Sequence, residues 1–163
     1  MKTKILTILI ITIFSLFKSQ IGNPINITDY PNFYNQTVNK LDNIIPNKTL
    51  YYNQSLSVFL QDLAQNNITI KAYDPGPFDN NFLKLMFVGD AEIRTEIRKY
   101  NYAQPYITIT FQDRFNFKQA QAIINQHYWF WNTSSENFYK DLKVKKIEFW
   151  YVRGLTDKSI NPK

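Results

Sequence analysis

Two runs of aromatic residues carry most of this chain's capacity for surface chemistry. His127-Tyr128-Trp129-Phe130-Trp131 is one, and Phe149-Trp150-Tyr151 is the other. Exposed, coplanar Trp and Tyr rings can stack on sugar rings, or on bases where basic residues flank them. Lys143, Lys145, Lys146 and Arg153 lie near the second run. The competing reading is packing, because aromatics at helical or alternating spacing are core material. Phe149, Tyr128 and Trp131 fall on such stripes and are assigned to the core. Trp129 and Trp150 fall off them, so with Arg153 they are the candidate ligand-binding residues.

Other chemistries lack parts. His127 is the only histidine, so a catalytic zinc site of the usual two or more imidazoles is not expected. There is no Gly-x-Ser-x-Gly elbow beside it for a serine triad. Cysteine is absent, which removes disulfides, thiolate nucleophiles and Cys-zinc sites. Asp74 and Asp79 flank the turn Pro75-Gly76-Pro77-Phe78 and are formally able to act as a carboxylate pair, although aspartate is also a common turn residue. The four glycines fit no phosphate-binding loop. No catalytic residue, metal site or cofactor is therefore expected.

Residues 1–19 have the order of a secretory signal: Lys2 and Lys4, an uncharged run of 13 residues from Ile5 to Phe17, then Ser19. That run is shorter than the ~20 residues a spanning helix needs, so no membrane span is expected once the leader is removed. Without Lys2, Lys4 and Lys18 the net charge falls from +6 to +3, with 16 basic against 13 acidic residues. Nucleic acid, which favours a clustered basic face, is not an expected partner. Six Asn-x-Ser/Thr triplets, at Asn26, Asn35, Asn47, Asn53, Asn67 and Asn132, are read as chance in an Asn-rich chain.

The elements that must position these residues follow from periodicity. Tyr106–Phe111 alternates strictly, with Ile107, Ile109 and Phe111 on one face. Ile68–Tyr73, Phe82–Val88 and Val144–Val152 read as three more strands. Helices are expected from Pro31 to Ile45, Leu56 to Gln65 after Ser55, Ala91 to Tyr100 after Asp90, Phe117 through Trp131 after Asn116, and briefly from Ser134. The expected fold is α+β: a two-layer, four-stranded mixed sheet with helices mainly on one face, preceded by two N-terminal helices. Residues 20–163 form a single domain, with 156–163 a frayed tail.

The functional expectation is a non-enzymatic binding or accessory protein, secreted or periplasmic, with a protein or glycan partner in the cell envelope or outside the cell. Its rivals are a small glycan-active hydrolase using paired carboxylates and a carbohydrate-binding module using exposed tryptophans. The leader gives the first test. Intact-mass measurement of exported material is expected to show a chain beginning near Gln20; full-length protein in the membrane fraction would contradict it.

Overall fold

The sheet is a meander in which each strand pairs with its neighbour in sequence. The computed structural model describes residues 25–76 and 80–161. Along these residues run α1 (Tyr30–Asp42), a 3₁₀ helix (Ile45–Tyr51), α2 (Leu56–Gln65), β1 (Ala72–Asp74), β2 (Phe82–Met86), α3 (Ala91–Lys99), β3 (Tyr106–Phe111), α4 (Phe117–His127), α5 (Thr133–Tyr139) and β4 (Val144–Trp150). The leader assigned to 1–19 lies outside the described residues. No helix among those described is long and apolar enough to cross a membrane.

The α+β class is as expected, but the sheet is antiparallel throughout rather than mixed, in the order β1-β2-β3-β4. The register explains why. Met86 sits opposite Tyr106, and Phe111 opposite Val144. Each helical insertion thus leaves and re-enters at the same end of the sheet, and no helix carries the chain across it as a parallel crossover would.

Inward residues of the strands make one core. Leu83, Leu85, Ile107, Ile109, Phe111, Ile147 and Phe149 are buried together with Leu41 and Ile44, Leu56, Phe59 and Leu63, Ala120 and Ile124, and Tyr139. Residues of α1, α2, α4 and α5 therefore share one face of the sheet. α3 belongs to a smaller cluster, where its Ile97 meets Tyr30, Tyr34, Val88 and Ala103. The Tyr30 hydroxyl donates to the Ala103 carbonyl at 2.7 Å and ties α1 to the start of β3.

Local chemistry sets most boundaries. The Asp90 carboxylate accepts the amides of Glu92 and Ile93, and Asn116 accepts that of Gln119. Asn132 forms a reciprocal capping box with Ser135, so this triplet's asparagine is occupied as a helix cap. Gly76 has φ +68°, and a Cβ there would lie 2.7 Å from the Phe82 ring, so the β1–β2 turn requires glycine.

Three other expectations are corrected. The helix expected to run to Ile45 ends at Asp42, and Pro46 lies in the first turn of the 3₁₀ helix that follows, where proline is tolerated because no amide donor is needed. The strand expected to run to Val152 ends at Trp150: Tyr151 has φ 57° and the chain turns there, so its ring meets Tyr106 and Trp150 while Val152 enters the core. Within the segment expected to fray, Ser159–Asn161 is tied down: Tyr151 N–H donates to the Ser159 carbonyl, Asn161 N–H donates to the Phe149 carbonyl, and Ile160 bridges Trp150.

A register shift between Thr110 and Phe111 leaves an extra residue on β4. It lets Val144 and Ile147, three apart, both reach the core. Phe149 is fully buried, edge-on to Phe59 at 6.3 Å. Phe149→Ala is expected to cost ~3–5 kcal/mol in a urea titration. Lys146, whose ammonium is 2.6 Å from the Glu148 carboxylate on a solvated face, is expected to change stability by at most about 1 kcal/mol on conversion to alanine.

Candidate functional site

Helix α4 ends at His127, four residues short of the expected Trp131, and that early stop creates the most exposed aromatic surface of the described chain. Tyr128 adopts φ 51°, ψ 42°, the left-handed conformation that usually ends a helix with glycine, and its amide still donates to Ile124. Trp129 follows at φ 68°. Two consecutive non-glycine residues in this region cost roughly 1–2 kcal/mol each.

The segment is held in place by the sheet and by the next helix. Tyr73 N–H donates to the Trp129 carbonyl at 3.0 Å, and Trp131 N–H donates to the Lys71 carbonyl at 3.1 Å. Phe130 thereby bridges Ala72 and occupies the outer edge of β1. The Asn132 side-chain amide donates to the Phe130 carbonyl. Trp131 turns inward, edge-on to Tyr73 and stacked on Tyr139. Its three predecessors turn outward: Tyr128 is 79% exposed, Trp129 43% and Phe130 51%. The Phe130 ring lies across Gly89, where a Cβ would come within 3.0 Å of it.

The sequence assigned Tyr128 to the core, and the structure reverses this. A helix continued through Trp131 would have placed it inward, but α5 must begin at Thr133, and the chain needs the intervening residues to turn. The sequence signal was present in Asn132-Thr133-Ser134-Ser135, a capping pattern that leaves no room for an unbroken α4.

Trp129 and Trp150 are not brought together. Cross-strand register lines up Phe130, Ala72, Met86, Tyr106, Trp150 and Ile160 in one row on the face opposite the core. Phe130 and Trp150 lie four strand steps apart along it, roughly 19 Å. Trp150 is half-buried, stacks on Tyr106 with ring centroids 5.8 Å apart, and donates its indole N–H to the Thr108 hydroxyl at 3.0 Å. One ring face and its only donor are therefore already engaged. Arg153 is exposed in the segment after β4.

The same face holds a cation that sequence reasoning passed over. Lys84 lies 3.9 Å from the centroid of the Tyr106 ring. Burial pulls its ammonium below the usual lysine range, Asp74 opposes this, and Arg94 adds to it. The ring face favours the charged form, so the arrangement is a cation–π contact that orders the sheet surface. Burial, reinforced by Tyr151, pushes the Tyr106 phenol up to about 12. The single charge in the Phe82–Val88 run was the available signal.

Three of the acidic groups near the strands and helices described have structural partners. Asp62 accepts the Tyr51 hydroxyl, Asp74 accepts the Gly76 amide at 2.8 Å, and Glu148 pairs with Lys146. Asp79, the other half of the considered pair, lies outside the described residues. His127 is half-buried in the last turn of α4. Among the described residues no three His, Cys, Asp or Glu side chains gather to hold a metal ion.

The chain matches no protein-family model, no curated protein and no solved structure. Its function is read from its own geometry. The strain at Tyr128 is directly testable: Tyr128→Gly is expected to raise the unfolding free energy by about 0.5–1 kcal/mol, and Tyr128→Val to lower it. Urea titration of both variants measures this; the reverse order would show that the left-handed turn is wrongly placed.

Proposed function

We propose that this protein is a non-enzymatic binding protein that holds a macromolecular partner on the turn Tyr128-Trp129-Phe130. One observation carries the reading: three consecutive large aromatic side chains face solvent on a backbone that is strained and pinned at both ends. Burying them against a partner would recover apolar area that folding leaves in water. Tyr and Trp supply such area with few rotatable bonds, which keeps the entropy cost of docking low. The leader-like residues 1–19 support a site of action outside the cytoplasm, secreted or periplasmic.

A protein surface is the favoured partner, because the turn continues a sheet edge with exposed main-chain groups nearby. A glycan is the second reading, favoured by the exposed indole of Trp129. The test is affinity capture from an envelope extract with the mature protein, Trp129→Ala and Leu50→Ala. Leu50 is 70% exposed and distant in sequence, so it controls for general stickiness. A specific species retained by Leu50→Ala and lost with Trp129→Ala is expected. Retention by Trp129→Ala would remove the turn as the binding surface. A response of Trp129 emission to added oligosaccharide instead would move the assignment to glycan.

A further inference from the structure

We propose that the hollow between α1 and the segment Asn67–Lys71 is a binding site for a tetrahedral oxyanion, a phosphate or sulfate group. The proposal goes beyond the aromatic turn and does not rest on it. The hollow exists because the alternating stretch expected to form a strand from Ile68 enters the sheet only at Ala72, while β2 ends at Met86. Phe33, Thr37 and Lys40 share one face of α1, at spacings of four and three. Thr69 and Lys71, two apart, meet that face beside Phe87, and the space left between them is about 160 Å³. Sites for drug-sized ligands run from ~300 to 1,000 Å³, so the occupant here is a small group rather than a whole nucleotide or oligosaccharide.

The lining selects a negative charge. Two of its side chains are ammonium groups and none is a carboxylate. Neither Lys40 nor Lys71 has an ion-pair partner among the described residues. The Lys40 ammonium donates to the Asn67 carbonyl at 2.9 Å, which ties α1 to the segment and uses one of its three donors. The backbone of Lys71 is fixed on both sides: its amide donates to the Met86 carbonyl at 2.9 Å, and its carbonyl accepts the Trp131 amide at 3.1 Å. Thr37 is only 8% exposed, yet its hydroxyl bonds to no group of the described chain. The amide and hydroxyl of Thr69 are likewise unpartnered among the described residues. Leaving a buried hydroxyl unpaired is costly, and an oxygen of a bound anion would pair it. A tetrahedral oxyanion presents acceptors to donors arriving from both α1 and the segment, and its charge offsets the two ammonium groups. Phe33 and Phe87 wall the space, and their low polarity strengthens that attraction.

The experiment titrates the isotope-labelled full chain, in a buffer free of phosphate and sulfate, and follows its amide resonances by NMR. The probes are inorganic phosphate, sulfate, methyl phosphate and acetate. Phosphate or sulfate is expected to give saturable shifts at Asn67–Lys71, at about tenfold lower concentration than acetate. Lys40→Met and Lys71→Met are each expected to weaken binding by about tenfold or more. Lys71→Arg keeps the charge and is expected to restore it, while Lys146→Met, whose ammonium is paired with Glu148, is expected to leave it unchanged. The dispersion of each spectrum reports whether the variant is folded, and if Lys71→Met is not, Lys40→Met carries the comparison. Methyl phosphate binding tighter than inorganic phosphate supports the site as the seat of a larger molecule's terminal group, and the reverse order supports a free ion. Shifts that do not saturate, an equal response to acetate, or binding unchanged in the folded Lys→Met variants would overturn the proposal.

Discussion

The fold depends on the ring of Tyr139. Although it sits at the end of a seven-residue helix, it is fully buried and meets five other rings. It stacks on Phe111 of β3 at 6.2 Å and on Trp131 at 6.3 Å, and meets Tyr73 of β1, Phe115 and Phe138 edge-on. Each such pair adds about 0.5–1.5 kcal/mol beyond its buried area. β1 has only three residues, too few to hold an edge by backbone bonds alone. Tyr73 anchors it through Tyr139 and Trp131, and the same Trp131 fixes the inner end of the exposed turn. The hydroxyls of Tyr73 and Tyr139 are buried without a hydrogen-bond partner among the described residues. Burial raises both phenol pKa values, Tyr73 to about 12, which keeps them neutral inside the cluster.

How much of this could be read from sequence depended on where local and tertiary demands agreed. α2 is found where expected because its apolar stripe, Ser55 and Asn66 all mark the same ends. β3 follows its alternation between Pro105 and Gln112 with every residue in phase. Disagreement arose where a neighbour decided the outcome. Ile68–Tyr73 alternates along its length, yet its first residues have no strand opposite them, since β2 ends at Met86. Tyr128 continues a helical stripe, but the demand that Phe130 reach Ala72 bends the chain before the stripe is complete. Neither constraint is local, so neither is written in periodicity.

The candidate residues show the same division. Trp129 and Trp150 were singled out because they fell off the apolar stripes, and each does fall off them. What spacing could not supply was their separation, because strand order decides it. The two aromatic runs end on opposite edges of one sheet, and the face between them is organised by Lys84, Tyr106 and Trp150 stacking on one another. That face is a packed surface of interlocked side chains. The turn at the β1 edge is the place where large rings stand free.

The sheet also carries its own edge covers. Trp129–Trp131 lies on β1, while the flank of β4 is closed at one end by Asn53–Ser55 and at the other by Ser159–Asn161. Bare edges recruit further strands, and fibril-forming segments are typically six or seven residues of uninterrupted β-prone sequence. The stretch left open at Thr69 and Ile70 is far shorter than that. It cannot by itself template an open-ended stack. The segment Ser159–Asn161 thus does for the end of β4 what Trp129–Trp131 does for β1: without it, the backbone groups of Phe149 and Tyr151 beside Trp150 would form a bare edge of the kind that recruits further strands.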